Sequence, residues 1–341
     1  NLPFVSVIML NYNAKVFIEK SLKSVLGSDY PKYEVIFVDN NSTDCSVEYV
    51  KGEFSNDSRL KIVVLDRNYG FAEGNNIALK YVDTQTRYIG FLNSDTEVDP
   101  LWLKELVKVM ESDLTIGLAQ SLILDYRMRE IVQCAGICMM DFCGWTWALF
   151  RNRPLKDCKR HLMTPINIFA ALGTAMIIRK SLIHEIGLFD SDFFFLVEDV
   201  DLSWRVRLRG YRILLVPQSI VWHYLGASFE SKMTSKTVFI ERHRSKNVIM
   251  MLIKNYDIWH LLSYLPIALA LMFLRATFYT IEGDGTPLTG LVRGIYWNIV
   301  HLRKIINKRR YVQRILRKIP DKSLKQVMIR LPLSQIFSRL R

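Results

Sequence analysis

The chain has 341 residues, 50% of them hydrophobic, enough to bury a sizeable core over roughly two domains. Its net charge of +13 is unevenly held: residues 231–341 carry 21 Lys and Arg against 5 Asp and Glu, whereas residues 1–230 carry 25 against 28. The composition is otherwise ordinary, which excludes a fibrous or disordered chain and leaves a soluble enzyme followed by a basic segment in need of an acidic partner.

Phe4–Leu10 reads as a strand, and Val16–Leu26 has apolar residues at helical spacing. Tyr33–Asp39 is a second strand, with Ser42-Thr43-Asp44 behind it as a helix start. Leu60–Leu65 is a third strand, Ala72–Val82 a helix and Tyr88–Leu92 a fourth strand. Pro100 opens the helix Leu101–Met110 in the favoured first-turn position. This alternation predicts an α/β fold with a Rossmann-like, mostly parallel sheet flanked by helices. Beyond Leu118 the pattern is mixed: a strand over Phe169–Ile178, short helix Lys180–Glu185, helix Leu202–Leu208, and strands Arg212–Val216 and Ser219–Trp222.

In such sheets ligands bind at the carboxyl ends of the strands. Those ends here read Asn11-Tyr12-Asn13, Asp39-Asn40-Asn41-Ser42, Arg67-Asn68-Tyr69-Gly70 and Asn93-Ser94-Asp95. One such end is usually a turn or a cap; four on one edge make a site. Gly70-Phe71-Ala72-Glu73-Gly74-Asn75-Asn76 looks like a Gly-rich phosphate loop opening a helix, though it has neither the dinucleotide nor the P-loop spacing.

Sugar transfer from a nucleotide diphosphate poses two charge problems. The leaving diphosphate gains negative charge, and the acceptor hydroxyl loses a proton as it attacks. A divalent metal held by carboxylate meets the first, and a general base the second. Oxygen ligands suit Mg²⁺ or Mn²⁺. Asp95 is positioned for the metal, because Asp99 serves better as the cap for the following helix. Asp39 is positioned to meet a base or ribose. Glu198, Asp199 and Asp201 repel one another, which favours a raised pKa and a base among them, Asp199 first. Five cysteines read as reduced thiols; Cys134, Cys138 and Cys143 lie close together but without paired knuckle spacing.

With these residues in place, the chain resembles the family 2 inverting glycosyltransferases of the GT-A fold, in their rhamnosyltransferase-like branch. The resemblance spans about residues 3–255. It rests on VSVIMLNYN (5–13), VDNNSTD (38–44), NYGFAEGNN (68–76), LNSDTEVDP (92–100), GTAMII (173–178), IGLFD (186–190) and FFFLVEDVDLSWR (193–205), in that order. It implies a nucleotide-sugar donor met by Asn11, Asp39, Asn68, Gly70, Asn75, Asn93, Ser94 and Asp95. Asp95 matches the last acid of the family's D-x-D element, whose first position is here Asn93. Asp199 matches the catalytic base. His223, in Val221-Trp222-His223-Tyr224, falls where some members lend an imidazole to the metal. The acceptor would meet Gly173, Thr174, Glu198 and Trp145, with Trp147 as a further stacking surface. A sugar nucleotidyltransferase would carry an Arg- or Lys-bearing Gly-rich loop after the first strand. A catalytically inactive nucleotide-sugar binder is the other alternative, separated by donor turnover.

His260–Ile281 is long enough to cross a bilayer, but Pro266 and Arg275 interrupt it, and a central Arg costs roughly 2.5–3.5 kcal/mol to insert. An interfacial or re-entrant helix is therefore preferred to a span. Further on, Val312, Ile315, Leu316 and Ile319 share one helical face against Arg309, Arg310, Arg314, Arg317 and Lys318, and Leu324, Val327, Met328 and Leu331 continue it. That pattern predicts attachment to an anionic membrane, on its cytoplasmic face where lipid-linked saccharide acceptors reside, and no nucleic-acid role. The expected organisation is a nucleotide-sugar half (1–117), an acceptor and catalytic half of the same domain (118–230) and a basic helical extension (231–341).

Overall fold

The computed structural model describes residues 2–139, 143–224 and 234–329. The first half alternates as expected: β1 (Phe4–Asn11), α1 (Lys15–Leu26), β2 (Tyr33–Asp39), α2 (Ser46–Phe54), β3 (Leu60–Val64), α3 (Gly70–Ala78) and β4 (Thr86–Leu92). β1 pairs in parallel with β2 and β4, and β2 with β3. The apolar run of β2 is buried at every residue, as a central strand covered on both faces requires. α1 seals one face with Ile18, Leu22 and Val25, each contributing about 1.5–3 kcal/mol by leaving water. α2 starts later than expected, at Ser46, because Cys45 takes a left-handed conformation and Asp44 accepts the Ser46 amide at 3.1 Å.

The second half comprises β5 (Thr96–Val98), α4 (Trp102–Ser112), β6 (Ile116–Asp125), β7 (Ile131–Cys134), β8 (Ile137–Met139), β9 (Thr146–Ala148), β10 (Arg153–Pro154), α5 (Leu155–Cys158), β11 (Ile166–Asn167), β12 (Ala175–Arg179), α6 (Lys180–Ile186), α7 (Glu198–Leu208) and β13 (Arg212–His223). Here the sheet becomes mixed. β12 lies antiparallel between β4 and β6, while β13 runs parallel to β6 and antiparallel to β5.

Two expectations are corrected. The strand expected over 169–178 begins only at Ala175, because the preceding amides bond side chains instead of a neighbouring strand: Ala171 to Ser203, Leu172 to Gln120 and Gly173 to Asp199. The two strands expected over 212–222 are one, with a register shift between Val216 and Ile220 where Pro217 offers the ladder no N–H.

Five helices follow: α8 (Thr234–Asn255), α9 (Ile258–Ile281), α10 (Thr286–Val300), α11 (Leu302–Tyr311) and α12 (Asp321–Leu324). α8 contributes Val248 through Ile253 to the main core, and Tyr256 just beyond it adds its ring. α10 crosses α8 at two glycines, where a Cβ on Gly294 would come 2.8 Å from the Lys246 amide and one on Gly290 2.9 Å from that of Arg242. α11 is latched by Lys304 to Asp192 at 2.6 Å and by Lys308 to both Asp190 and Asp192.

This docking corrects the membrane reading of the last helical face. Val312, Leu316, Leu324 and Met328 are buried in the core, and Ile315 alone of the first four stays exposed; Leu331 lies outside the described residues. Among the described residues, α9 is the one helix long and apolar enough to cross a membrane. It buries only Leu261, Ala268, Leu271 and Ala276, and Arg275 pairs with Glu241 of α8 at 3.0 Å.

Candidate active site

Because β1, β2, β3 and β4 run the same way, their carboxyl ends open on one edge. Asn11 at the end of β1 donates to Asp39 at 2.8 Å, and Asp39 takes the Ser42 amide with its other oxygen, also at 2.8 Å. Asn40 then bridges to the third loop. Its Nδ2 donates to Asn68 Oδ1 and the Gly70 carbonyl, and its Oδ1 accepts the Tyr69 amide. Gly70 sits at φ +74°, and a Cβ there would lie 2.5 Å from the Phe194 carbonyl. Asn75 is buried with its Nδ2 turned to the Phe71 carbonyl of its own helix.

Asp95 and Ser94 follow β4, both buried. The amide of Asn93 donates to the Thr174 carbonyl at 2.9 Å, which ties this turn to the segment before β12. β13 delivers His223 to the same place, with Nε2 3.2 Å from Asp95 Oδ1. Gln133 on β7 settles the ring: its Nε2 donates to the His223 carbonyl, so its Oε1, 2.5 Å from Nδ1, receives the ring N–H. Nε2 is left facing the carboxylate oxygen, and an imidazole and a carboxylate side by side at that distance are a donor set of the kind that holds a divalent ion. The residues present fit a divalent ion.

Asp199, in the first turn of α7, is buried and accepts the Gly173 amide at 2.9 Å and the Val200 amide at 2.8 Å. Burial raises its carboxyl above the usual carboxylate range, and the two amide bonds offset this only in part. Glu198 is pushed well up by burial and by the neighbouring Asp199 charge, and its buried Oε2 has no hydrogen-bond partner among the described residues. Asp201 goes the other way. Burial opposes its ionisation, but Lys254 and Arg205 outweigh it and hold the carboxyl low. The three acids that look alike in sequence thus sit in three different surroundings: Asp199 on two amides, Glu198 beside it without a compensating cation, and Asp201 in a buried ion pair.

The structure therefore joins Asn11, Asp39, Asn68 and Gly70 in one hydrogen-bonded network and Asn93, Thr174, Gly173 and Asp199 in another along the backbone, with the Asp95–His223 pair on the same turn as Asn93. Phe194 links them: its carbonyl accepts the Ala72 amide at 3.0 Å beside Gly70. Trp145 is half-buried ahead of β9 and packs on the core, without a described contact to either network. Of the cysteines, Cys45 is exposed and the other four are buried, with the Cys134 thiol pushed up to about 11 by burial.

Sequence reasoning missed Gln133 and Asn247, and it placed Asn40 on the site edge without giving it a partner. Gln133 and Asn40 are ordinary polar residues whose partners are remote in the chain. Asn247, buried on α8, donates to the carbonyls of Phe193, Phe195 and Leu196 just ahead of α7.

A family model, Glycosyl transferase family 2, matches residues 6–187, a stretch that holds Asp39 and Asp95 and stops short of Asp199 and His223. The chain is 24% identical over 219 residues to poly-beta-1,6-N-acetyl-D-glucosamine synthase of Staphylococcus epidermidis, covering 64% of this chain and 49% of that protein. It is 27% identical over 230 residues to the O-antigen biosynthesis protein RfbC of Myxococcus xanthus, covering 66% and 18%. The chain thus spans about half, or less, of the length of these curated relatives. Among solved structures, TarS 1–349 of S. aureus in complex with UDP-GlcNAc matches with a TM-score of 0.56 at 18% identity, over 96% of this chain and 93% of that one. That likeness is one of fold, an α/β sheet of the GT-A type with flanking helices. With more than half of its residues matched by the family model, the chain belongs to glycosyl transferase family 2.

Proposed function

We propose that the protein transfers a sugar, with inversion, from a nucleotide-diphosphate donor to a hydroxyl of a glycan or lipid-linked saccharide. The observation that carries this reading is a buried Asp199 with a raised carboxyl, joined through Gly173 and Thr174 to the turn that bears Asp95, which His223 at the end of β13 meets at 3.2 Å. In the proposed step the acceptor hydroxyl gives its proton to Asp199 while its oxygen bonds the anomeric carbon. The electron pair of the breaking carbon–oxygen bond leaves with the nucleoside diphosphate. Asp95 and His223 would hold a divalent ion, Mn²⁺ or Mg²⁺, which supplies positive charge to that diphosphate. Asn11, Asp39, Asn68, Gly70 and Asn75 are assigned to the nucleotide, with Asn93 and Ser94 at its diphosphate end. Gly173, Thr174 and Glu198 face the acceptor in this reading, and Glu198, retaining its proton, is a hydrogen-bond donor there.

Solved structures of similar fold hold UDP-GlcNAc and GDP-Man. Those nucleotide sugars, together with dTDP-rhamnose from the branch resemblance, make the panel to assay with and without Mn²⁺. Metal-dependent turnover of one donor, lost in Asp199→Asn, is expected; donor binding without turnover would leave only a nucleotide-sugar binder.

The membrane reading rests on α9 and α10, whose outward faces expose Trp259 (76%), Leu262 (62%), Tyr296 (69%) and Ile299 (64%) beside the exposed Arg293 and Arg303. The Arg275–Glu241 pair favours an α9 held flat against the enzyme over one that crosses a bilayer. Flotation with anionic vesicles tests this: Trp259→Glu with Leu262→Glu should release the protein, and unchanged flotation would remove the reading. Point changes suit the purpose better than truncation, because α8 is part of the core.

A further inference from the structure

The segment Phe193–Val197 leads directly into the helix that carries Asp199, and its backbone is strained. Phe194, Leu196 and Val197 have φ of 64°, 68° and 73°, a region non-glycine residues seldom enter and a β-branched one hardly ever. Such conformations persist only where the surroundings impose them. Here they are imposed by α8. Asn247, fully buried, aims one amide nitrogen at three carbonyls of the segment: Phe193 at 3.1 Å, Phe195 at 2.8 Å and Leu196 at 2.7 Å. Rings add to the grip, with Phe195 stacked on Phe239 at 5.5 Å and Phe194 packed on His243 at the same distance. The Val197 carbonyl then accepts the Asp201 amide at 2.9 Å, so the end of this segment sets where α7 begins.

We propose that Asn247 is a positioning residue for sugar transfer: by fixing the carbonyls of Phe193, Phe195 and Leu196 it places the first turn of α7, and with it the Asp199 carboxylate. The inference rests on Asp199 being the base. It makes α8, which lies beyond the residues matched by the family model, part of the reaction machinery. A side chain with two N–H donors on one atom is what three crowded carbonyls require, and no aliphatic or acidic residue of that size offers it.

The test uses the full chain. Asn247→Ala and Asn247→Asp are compared with Asn298→Ala, which loses bonds to the Lys246 and Gly294 carbonyls between α10 and α8 and leaves the Phe193–Val197 segment untouched. Turnover, nucleotide affinity and thermal unfolding are measured for each. Asn247→Ala is expected to lose about 100-fold in kcat, the scale of a misplaced catalytic group, with nucleotide Kd changed by less than about threefold. Asn298→Ala should lose stability and keep kcat. Adding Val197→Gly to Asn247→Ala, since glycine adopts that φ freely, should recover about tenfold of the loss. If Asn247→Ala does not fold, Asn247→Ser is read in its place. Turnover close to that of the parent, or an equal fall in Asn298→Ala, overturns the proposal. Asp199→Asn assayed in parallel keeps the two readings apart: if it retains turnover the base assignment fails and takes this inference with it. If it is silent while Asn247→Ala is active, the positioning role alone fails.

Discussion

His223 Nε2 and Asp95 Oδ1 face each other at 3.2 Å, with Gln133 holding the ring by its other nitrogen. Removing the orienting partner should therefore weaken the proposed metal site without touching either residue of the pair. Gln133→Leu is expected to lower Mn²⁺ affinity by about 10–100-fold, measured by metal titration of nucleotide binding. An unchanged titration would show that the ring needs no such fixing.

Asp199 is raised by burial, so it takes up its proton at a higher pH than a free carboxylate. Transfer should fall on the acid side with a midpoint above about 4, the ordinary aspartate range, and Asp199→Asn should abolish it at every pH. The sign for stability is opposite to that of a salt-bridged acid. The folded pKa lies above the unfolded one, so this group's contribution is full below the unfolded value and is lost as pH rises through the folded one. At neutral pH Asp199→Asn is accordingly expected to melt higher than the parent while still binding nucleotide. A lower melting temperature would contradict a strained, desolvated carboxylate.

Lys254 is buried between Asp190 and Asp201, at 2.6 Å and 3.0 Å. Both carboxyls are held low against the cost of burial, so their contribution is present above the unfolded pKa and lost as pH falls through the folded one. Lys254→Met leaves two buried anions short of a cation and should cost about 3–5 kcal/mol in a denaturant titration. Acid unfolding should also begin at a higher pH than in the parent. A loss below about 1 kcal/mol would mean that Arg205 and Lys308 suffice.

Gly70 has no room for a side chain against Phe194. Gly70→Ala must leave a left-handed backbone at about 1–2 kcal/mol and push the Phe194 carbonyl aside. Both nucleotide affinity and kcat are expected to fall, since the contact lies between the two networks. Phe194→Ala in the same chain should restore only part, because it removes the ring and leaves the carbonyl. Full activity in Gly70→Ala would show that the loops are not coupled there.

Much of this site could be read in the sequence because its signals are local. The alternation of β1 through β4 sets four strand ends on one edge, and Asn11, Asp39, Asn68 and Asp95 stand on those ends. What could not be read depends on contacts between remote segments. Glu198, Asp199 and Asp201 differ in proton affinity because Arg205 on the same helix and Lys254, far along the chain, both pair with the last. Val312 and Leu316 form the same amphipathic stripe whether they meet lipid or protein, and the pairing of Lys304 and Lys308 with Asp190 and Asp192 decides for protein. The strand expected at 169–174 failed because side chains claimed its amides, which periodicity does not register.

The distribution of thiols has a practical use. Cys134, Cys138, Cys143 and Cys158 are shut inside the fold, while Cys45 stands exposed at the start of α2, close behind the Asp39–Ser42 turn. A maleimide dye added to the native protein should find that one sulfur first. Its emission would then report in real time whether an added nucleotide sugar reaches the edge that carries Asp39, with no engineered cysteine and no radioactive sugar.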